Sequence, residues 1–214
     1  RSDHPSQIGN PTAHEVTQDN TKSKLIAAGV LSIADVDGQN SFQASTYTKM
    51  GNLGSLKVEA DGHYSYEVYN AQVRTMGVGD SKTETFTIRS ADGTTKDVSF
   101  TINGSNDAPT VTANVKESLI TGAFKTVDLL ANAGDIDSGS KLSLDNVIYK
   151  IDGISTSIPS GLFKLTGSQL DVDTSKLLMS GASSKAITIE YDVIDGNGGR
   201  VHQTEGITVT AKSL

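Results

Sequence analysis

Two pairs of aspartates spaced one residue apart are closely followed by a glycine. Asp35 and Asp37 precede Gly38, and Asp135 and Asp137 follow 100 residues later. In a loop, two such carboxylates can turn toward one ion, and Ca²⁺ binds about six to eight oxygen ligands of this kind. The spacing therefore indicates a calcium site, with a solvated turn as the alternative for Asp35 and Asp37.

A second acidic motif also repeats, because Asp92 returns as Asp195 after 103 residues, each before a glycine. Loops gather at the ends of a β-sandwich, where a linker enters the next domain. We therefore expect oxygens from the loops and the linker to converge on an ion that stiffens the linker. The predicted ligands at the second unit are Asp19, Asn106, Asp107, Asp135, Asp137, Asp195 and Asn197. The predicted ligands of the first unit are Asp35, Asp37 and Asp92.

The two copies of these motifs imply two tandem domains, since a unit of about 100 residues is the size of a small sandwich. We predict a flexible lead-in over residues 1–11, one β-sandwich over 12–106 and a second over 107–214. The predicted fold class is all-β, with two immunoglobulin-like or cadherin-like sandwiches.

Short runs of alternating apolar and polar residues support this fold class, because this period buries one face of a strand. The runs are Leu31/Ile33, Leu56/Val58/Ala60, Tyr64/Tyr66/Val68, Phe86/Ile88, Val98/Phe100/Ile102, Val111/Ala113/Val115, Val147/Tyr149/Ile151, Ile187/Ile189/Tyr191/Val193 and Ile207/Val209/Ala211. Asp61-Gly62 and Asp92-Gly93 predict hairpin turns. Helix is limited to a turn or two at residues 127–133 and 175–180.

The composition excludes several kinds of partner. The chain carries 25 acidic and 18 basic residues, a net charge of -7, with no basic cluster, so nucleic acid and anionic membranes are disfavoured. It has no cysteine for disulfides or thiolate zinc sites. No apolar run approaches the roughly 18 residues of a membrane span. Because the chain begins without Met, we interpret it as a segment of a longer tandem array.

Catalytic motifs are absent, and we predict that the protein is not an enzyme. The four histidines are scattered, with no zinc-protease, nucleophile-elbow, phosphate-loop or dinucleotide pattern. An EF-hand is also excluded, because a loop begun at Asp35 puts Thr46 at the bidentate final position, and one begun at Asp135 puts Asn146 there.

A module that binds a glycan or a peptide is the main alternative to a structural segment. Loops of a sandwich can present such a site, but the chain has no tryptophan to form an aromatic platform. Tyr47 and Tyr69 are the tyrosines that we expect to be exposed. If they shared one open face, the binding module would be favoured.

The segment Asn106-Asp107-Ala108-Pro109, preceded by Thr101-Ile102-Asn103-Gly104-Ser105, resembles the end of the VCBS repeat. Upstream residues 30–38, 54–58, 61–66 and 86–94 follow the order of that family, so the resemblance covers about residues 12 to 109. Residues 110–214 are similar to a bacterial cadherin-like domain, on the basis of Glu117, Asp135-Ile-Asp137 and Val193-Ile-Asp195-Gly.

This resemblance implies a large, cysteine-poor surface adhesin of a Gram-negative bacterium, exported by type I secretion and involved in biofilm formation. Its implied role is a calcium-stiffened extender in the extracellular stalk, with neighbouring repeats of the same chain and a surface glycan or protein receptor as partners. Cadherin junction motifs would map onto Asp19, Asn106, Asp107, Asp135, Asp137 and Asp195.

Overall fold

The structure is a computed structural model that describes residues 4–114, 116–181 and 183–212. It contains two compact units, Arg1–Ser105 and Asn106–Leu214, which we call unit 1 and unit 2. Both consist of β-strands with one short 3₁₀ turn each, so the all-β fold class is confirmed. The predicted strand residue Val115 lies outside the described residues.

Unit 1 contains nine strands in two facing sheets and a short ribbon. The strands are β1 (Gln7–Ile8), β2 (Glu15–Thr17), β3 (Lys24–Val30), β4 (Ile33–Ala34), β5 (Ser45–Tyr47), β6 (Ser55–Val58), β7 (His63–Tyr69), β8 (Ser81–Arg89) and β9 (Thr95–Asn103). One sheet has the order β2-β9-β8, the other β3-β7-β6-β5, and β1 pairs with β4. The first strand of the sandwich, β2, runs parallel to the last, β9.

Unit 2 repeats this plan. Its strands are β10 (Thr110–Val111), β11 (Lys116–Ile120), β12 (Phe124–Asp128), β13 (Ala133–Gly134), β14 (Ser143–Ile151), β15 (Phe163–Thr166), β16 (Gln169–Asp173), β17 (Ser184–Ile194) and β18 (Arg200–Thr210). The sheets have the orders β11-β18-β17-β14 and β12-β16-β15, and β10 pairs with β13. Here too the first strand of the sandwich, β11, is parallel to the last, β18.

Each unit has its own core, formed by the alternating apolar residues that face the opposite sheet. In unit 1 the rings of Tyr66, Phe86 and Phe100 pack together, with Tyr66 and Phe100 stacked at 4.7 Å between centroids. The core of unit 2 is mainly aliphatic, with Leu170 and Ile189 fully buried. Burial of these side chains is the main force holding each sandwich together.

The hairpin predictions are confirmed, whereas one of the helix predictions is wrong. Asp61-Gly62 turns between β6 and β7, and Asp92-Gly93 turns between β8 and β9. Both glycines have a positive φ, which L-residues rarely adopt. Residues 127–133 form the end of β12, a turn and the start of β13 instead of helix, because Val127 pairs with Leu170 of β16. Only a 3₁₀ turn, Thr174–Lys176, lies near the second stretch.

The described part of the predicted flexible lead-in belongs to unit 1. Within residues 4–11, Gln7–Ile8 forms β1 and pairs with Ile33–Ala34, while Ser6 is only 4% exposed. Unit 1 ends at Ser105, one residue before the predicted boundary. The sequence missed this strand because two paired residues are too short to show any periodicity.

The strand that follows β4 in unit 1 and β13 in unit 2 pairs differently in the two units. In unit 2, β14 pairs with β17 over most of its length. In unit 1, the corresponding β5 pairs with β6 in the other sheet. In unit 1, side chains instead form hydrogen bonds with the backbone at the edge of β8. Tyr47 Oη accepts from Arg89 N at 3.3 Å, and Asn52 Nδ2 donates to Thr85 O at 2.9 Å. Covering an edge in this way protects it from pairing with another chain.

Candidate functional site

The paired aspartates of unit 2 form a tight loop after the short strand β13. Asp135 Oδ1 accepts from the backbone N–H of Asp137 at 2.8 Å, so the first carboxylate fixes the turn that carries the second. Asp137 is only 5% exposed, and its Oδ2 accepts from Asp107 N at 2.7 Å. The start of unit 2 is thereby held against this loop. The structure brings together three of the predicted ligands here.

Asp195 joins the same group from the turn between β17 and β18. Its Oδ2 accepts from Asn106 Nδ2 at 2.8 Å, and its Oδ1 accepts from the backbone of Asn197 and Gly199 at 2.8 and 2.9 Å. The side chain is 4% exposed. Burial alone would raise the pKa of Asp195, but the hydrogen bonds from Asn106, Asn197 and Gly199 outweigh it and hold the pKa below its usual range. Asp195 is therefore a buried, ionised carboxylate.

Several oxygens of this group are buried without a hydrogen-bond donor among the described residues. They are Asn106 Oδ1, Asp135 Oδ2 and Asp137 Oδ1. Buried oxygens are almost always satisfied in folded proteins, because an unsatisfied one costs free energy. Carboxylate and amide oxygens without nitrogen or sulfur donors form the ligand set that a hard cation such as Ca²⁺ prefers. The residues present therefore fit a calcium ion.

We call the group formed by Asn106, Asp107, Asp135, Asp137 and Asp195 the unit 2 acidic site. The predicted ligand Asn197 lies beside it but is exposed; its N–H donates to Asp195 Oδ1 at 2.8 Å, and its carbonyl oxygen accepts from Asn106 Nδ2 at 3.4 Å. These contacts come from its backbone, so Asn197 as a side-chain ligand stays a prediction.

The predicted first-unit ligands Asp35 and Asp92 meet at Ser6. The hydroxyl of Ser6 lies 2.8 Å from Asp35 Oδ2 and 2.9 Å from Asp92 Oδ2, and Ser6 N donates to Asp92 Oδ2 at 3.0 Å. A hydroxyl has one hydrogen and can donate it to only one of the two carboxylates. The Ser6 hydroxyl therefore supplies a hydrogen to only one of the two carboxylates, and a bound cation would reduce the repulsion between them.

Asp92 is nonetheless well supplied with donors from its own turn. Its Oδ1 accepts from the Ser90 hydroxyl and from Thr94 N at 2.9 Å. These bonds, the Ser90 hydroxyl first, hold the pKa of Asp92 well below its usual range. The turn in unit 1 begins at Ser90, whose N–H donates to Thr94 O, so Asp92 is its third residue. The turn in unit 2 begins at Asp195, whose N–H donates to Gly199 O, so Asp195 is its first residue. The two acidic sites are thus constructed differently.

His4 completes the group in unit 1, which we call the unit 1 acidic site (His4, Ser6, Asp35, Asp37 and Asp92). Its backbone N donates to Asp37 Oδ2 at 2.7 Å, as Asp107 N does to Asp137, and its Nδ1 lies 3.4 Å from the same oxygen. A histidine therefore stands where unit 2 has an aspartate. Sequence reasoning missed both His4 and Ser6 because no periodicity marks the two-residue strand β1. The pairing of β1 with β4 and of β10 with β13 shows that His4 corresponds to Asp107 and Ser6 to Pro109.

Asp19 belongs to unit 1, and its Oδ1 accepts from the backbone and the hydroxyl of Thr21 at 2.9 and 2.7 Å. These hydrogen bonds lower the pKa of its carboxyl. In the sequence, Asp19 and Glu117 each lie eight residues after a proline, Pro11 and Pro109, which suggests that they are equivalent. Strand register does not support this equivalence. Glu117 opposes Ile207, and the residue that opposes the corresponding Ile102 is Val16. The participation of Asp19 in an ion site stays a prediction.

Another group with metal-ligand chemistry lies on the β6–β7 hairpin. Ligand atoms of Glu59, Asp61 and His63 lie within 4.8 Å of one another, and all three side chains are exposed. His63 Nδ1 is 2.9 Å from Asp61 Oδ2, which raises the pKa of the histidine. The arrangement is explained by the hairpin itself, since Asp61 Oδ1 accepts from His63 N at 3.1 Å.

Tyr69 is exposed as predicted, whereas the prediction for Tyr47 is wrong because its ring is half-buried against the core of unit 1. Tyr47 opposes the fully buried Leu56, and cross-strand partners point to the same face, so Tyr47 faces the core. Tyr69 opposes Lys24 on the outer face, with Lys24 Nζ 5.4 Å from its ring centroid. The two rings lie on opposite faces of one sheet, and this removes the observation that would have favoured a binding module.

Among the described residues, neither short helical turn is long and apolar enough to cross a membrane.

Comparisons with known proteins agree with this architecture. Residues 3–104 match the family model of the bacterial cadherin-like domain. No curated protein matches the sequence at a significant level. Protocadherin Gamma B2 extracellular cadherin domains 3-6 are similar in structure, with a TM-score of 0.51 and 15% identity over 100% of this chain and 53% of that one. The chain thus spans about half the length of that structure.

Human Mucin-like Protocadherin EC1-2 is similar with a TM-score of 0.52 and 14% identity, over 97% of this chain and 98% of that one. Mouse clustered PcdhgC3 EC1-3 has a TM-score of 0.50 and 15% identity, over 97% of this chain and 68% of that one. At these identities the likeness shows the fold alone. The chain is therefore an all-β protein with cadherin- or immunoglobulin-like sandwiches, and its residues 3–104 are similar to the bacterial cadherin-like domain.

Proposed function

We propose that the protein is a calcium-stiffened extender segment of a large bacterial cell-surface adhesin. This proposal rests on buried oxygens of the unit 2 acidic site, on Asn106, Asp135 and Asp137, that have no hydrogen-bond donor among the described residues. A cation at this site would convert the repulsion among its carboxylates into ligation. Calcium is the best candidate because the site offers only carboxylate, amide and backbone oxygens.

Stiffening follows from the place of two ligands in the chain. Asn106 and Asp107 directly follow Ser105, the last residue of unit 1. An ion held jointly by Asn106, Asp107, Asp135, Asp137 and Asp195 would tie this segment to the body of unit 2. Binding to the ordered form and not to the disordered one stabilises the ordered form, so calcium would reduce the freedom of the segment.

The unit 1 acidic site is proposed as a second, weaker calcium site. Asp35, Asp37 and Asp92 would supply carboxylates, but His4 occupies the position that Asp107 has in unit 2. The Ser6 hydroxyl and neighbouring donors also satisfy part of the negative charge without an ion. Both differences reduce the free energy gained when a cation binds at the unit 1 acidic site.

The adhesin context rests on the bacterial cadherin-like match and on the VCBS-like motif around Asn106-Asp107-Ala108-Pro109. Both point to an adhesion-type extracellular module in which such domains are strung in series. We therefore place the segment at the surface of a bacterium, exported by type I secretion, where it supports cell adhesion and biofilm formation. Its partners would be neighbouring repeats of the same chain and, through the whole adhesin, a glycan or protein receptor.

Calorimetric titration of the chain with Ca²⁺ tests the proposal. We expect binding at the unit 2 acidic site, and Asp137→Asn should weaken it on the order of 100-fold or more, because this substitution removes one charge but keeps an oxygen that can accept from Asp107 N. Asp171→Asn is the matched control. That carboxylate lies on β16 of the same unit and accepts only from the exposed Thr126 hydroxyl at 2.7 Å.

The control should bind Ca²⁺ as the unsubstituted chain does, and circular dichroism should show the same strand content for both variants. If the chain binds no Ca²⁺, or if Asp137→Asn binds it unchanged, the proposed calcium site is wrong.

A further inference from the structure

Each unit buries one glutamate at the same position of its longest hairpin, counted from the turn. Glu84 on β8 opposes Phe100 on β9, and Glu205 on β18 opposes Ile189 on β17. Both glutamates are almost completely inaccessible, with 0% and 1% of the residue exposed. An ionised carboxylate in such a place needs hydrogen-bond donors or an opposite charge. The two glutamates differ sharply in this respect.

Glu84 has a full set of donors. Tyr66 Oη donates to its Oε1 at 2.6 Å and Gly54 N at 2.8 Å, while Leu53 N and Lys82 Nζ reach its Oε2 at 2.5 and 2.6 Å. Burial alone would raise the pKa of Glu84, but these four donors outweigh it and hold the pKa below its usual range. Glu84 is therefore ionised in the folded protein.

Glu205, by contrast, has almost no hydrogen-bond donors. Among the described residues, the hydrogen-bond partner of its Oε1 is the Tyr191 hydroxyl at 3.3 Å, and that hydroxyl also lies 2.8 Å from the carbonyl oxygen of Leu129. A hydroxyl has a single hydrogen, and the shorter contact shows that it goes to Leu129. Glu205 Oε2 has no hydrogen-bond partner among the described residues. An ionised Glu205 would thus be buried without a good donor.

The charges around Glu205 are unfavourable to ionisation as well. Glu117 on β11 and Asp128 at the end of β12 are both acidic, and Glu205 forms no ion pair with a basic side chain in the described part of the chain. Burial, reinforced by these two carboxylates and only partly offset by Tyr191, raises the pKa of Glu205 to about 7. Geometry and electrostatics therefore agree on the protonated form.

We propose that Glu205 is a neutral carboxylic acid in the folded protein and donates its hydrogen to Tyr191 Oη, and that loss of this proton lowers the stability of unit 2. This arrangement satisfies both groups, because Tyr191 Oη can accept one hydrogen while it donates its own to Leu129. The inference concerns the core of unit 2 and does not rest on the proposed calcium function.

The direction of the pH dependence follows from the proton count. The ordinary pKa of the glutamate is 4.5, and the folded value is about 7. Between these values the folded unit binds one more proton than the unfolded chain, so stability falls as pH rises. The unfolding equilibrium constant of unit 2 should rise by up to about tenfold per pH unit across this window. Above about pH 7 the contribution is lost.

The buried glutamate of unit 1 makes stability depend on pH in the opposite direction, and it does so at acidic pH. The pKa of Glu84 is lowered, so its stabilising contribution is present above the ordinary value and is lost as pH falls through the folded value. Between pH 5 and pH 8 this group changes little. The two units of one chain therefore differ in how neutral pH affects them.

The test uses the full chain, labelled with ¹³C and ¹⁵N, in a buffer with chelator so that calcium is not involved. The side-chain carboxyl carbon of Glu205 is followed by NMR from pH 4 to pH 9. Urea unfolding is followed at pH 5 and pH 8 through assigned amide signals of each unit. We expect Glu205 to titrate near pH 7, and the urea midpoint of unit 2 to be lower at pH 8 than at pH 5.

Two glutamine variants serve as a matched pair. Glu205→Gln mimics the neutral acid, so the fall in the unit 2 midpoint between pH 5 and pH 8 should disappear. Glu84→Gln removes a needed charge, so it should lower the unit 1 midpoint at both pH values and leave the response of unit 2 intact. Titration of Glu205 in the ordinary glutamate range would overturn the proposal, and this readout still decides if Glu205→Gln does not fold.

Discussion

Gly199 fixes the orientation of the most buried carboxylate in the unit 2 acidic site. Its N–H donates to Asp195 Oδ1 at 2.9 Å, and a Cβ at this position would lie only 2.1 Å from Asp195 Oδ2 and 2.9 Å from Ala108 Cα. Real Cβ contacts are not that short, so any larger residue must displace the Asp195 side chain. Gly199 is thus a positioning residue for the site, although it offers no ligand atom.

We expect Gly199→Ala to weaken calcium binding about 10- to 100-fold, the usual cost of losing a group that orients a metal ligand. Calorimetric titration measures the effect. Gly206→Ala on β18 is the control, because a Cβ there meets no atom within 4 Å. Equal calcium affinity of the Gly199→Ala variant and the unsubstituted chain would show that the orientation of Asp195 does not matter for the ion.

At the scale of the strands, β1 matters more to unit 1 than its two residues suggest. Its pairing with β4 holds Ser6 beside Asp35 and Asp92, and Gly9 N extends the contact by donating to Ser32 O at 3.0 Å. The hydroxyl of Ser6 contacts both carboxylates. The segment before β2 is therefore part of the sandwich.

Ser6→Ala should accordingly destabilise unit 1 in calcium-free buffer. Removing a buried donor while leaving its acceptors in place should lower the melting temperature of this unit by about 5 °C. Ser99→Ala is a suitable comparison, since Ser99 is on the same unit and its hydroxyl only meets the exposed Thr85 hydroxyl at 2.8 Å. An equal melting temperature for Ser6→Ala and Ser99→Ala would contradict this role for Ser6.

Elements with a clear period could be predicted from sequence, and contacts that depend on register could not. The alternation at Tyr64, Tyr66 and Val68 predicts β7, which the structure places at His63–Tyr69. Ser6, the partner of Asp35 and Asp92, could not be predicted, because nothing in the residues around it indicates a strand. The pairing of β1 with β4 alone places the serine there.

The same limit applies to the acidic sites. Spacing alone indicates Asp135 and Asp137 as a pair, because two aspartates around one residue in a loop can point to one ion. The sequence also suggests an equivalent carboxylate at Asp19 and Glu117, but strand register separates them. A distance counted along the chain is reliable within one turn, and it fails where the two units differ in loop length.

At the scale of the whole molecule, the two units are expected to depend on calcium to different degrees. In unit 2, the buried oxygens on Asn106, Asp135 and Asp137 have no donor in the described structure, so an ion would replace interactions that the protein itself does not provide. In unit 1, Ser6 and its neighbours already supply donors to Asp35 and Asp92. Removing calcium should therefore expose an unpaired cluster of charge mainly in unit 2.

Chelation with EDTA should lower the thermal midpoint of unit 2 clearly and that of unit 1 much less, since a ligand stabilises only the form that binds it. Amide signals assigned to β17 and β18 report on unit 2, and those of β8 and β9 report on unit 1, within the same sample. In the Asp137→Asn variant the unit 2 midpoint should already be low and should no longer respond to chelator. An equal shift of both units on chelation would show that the donors around Ser6 do not substitute for the ion.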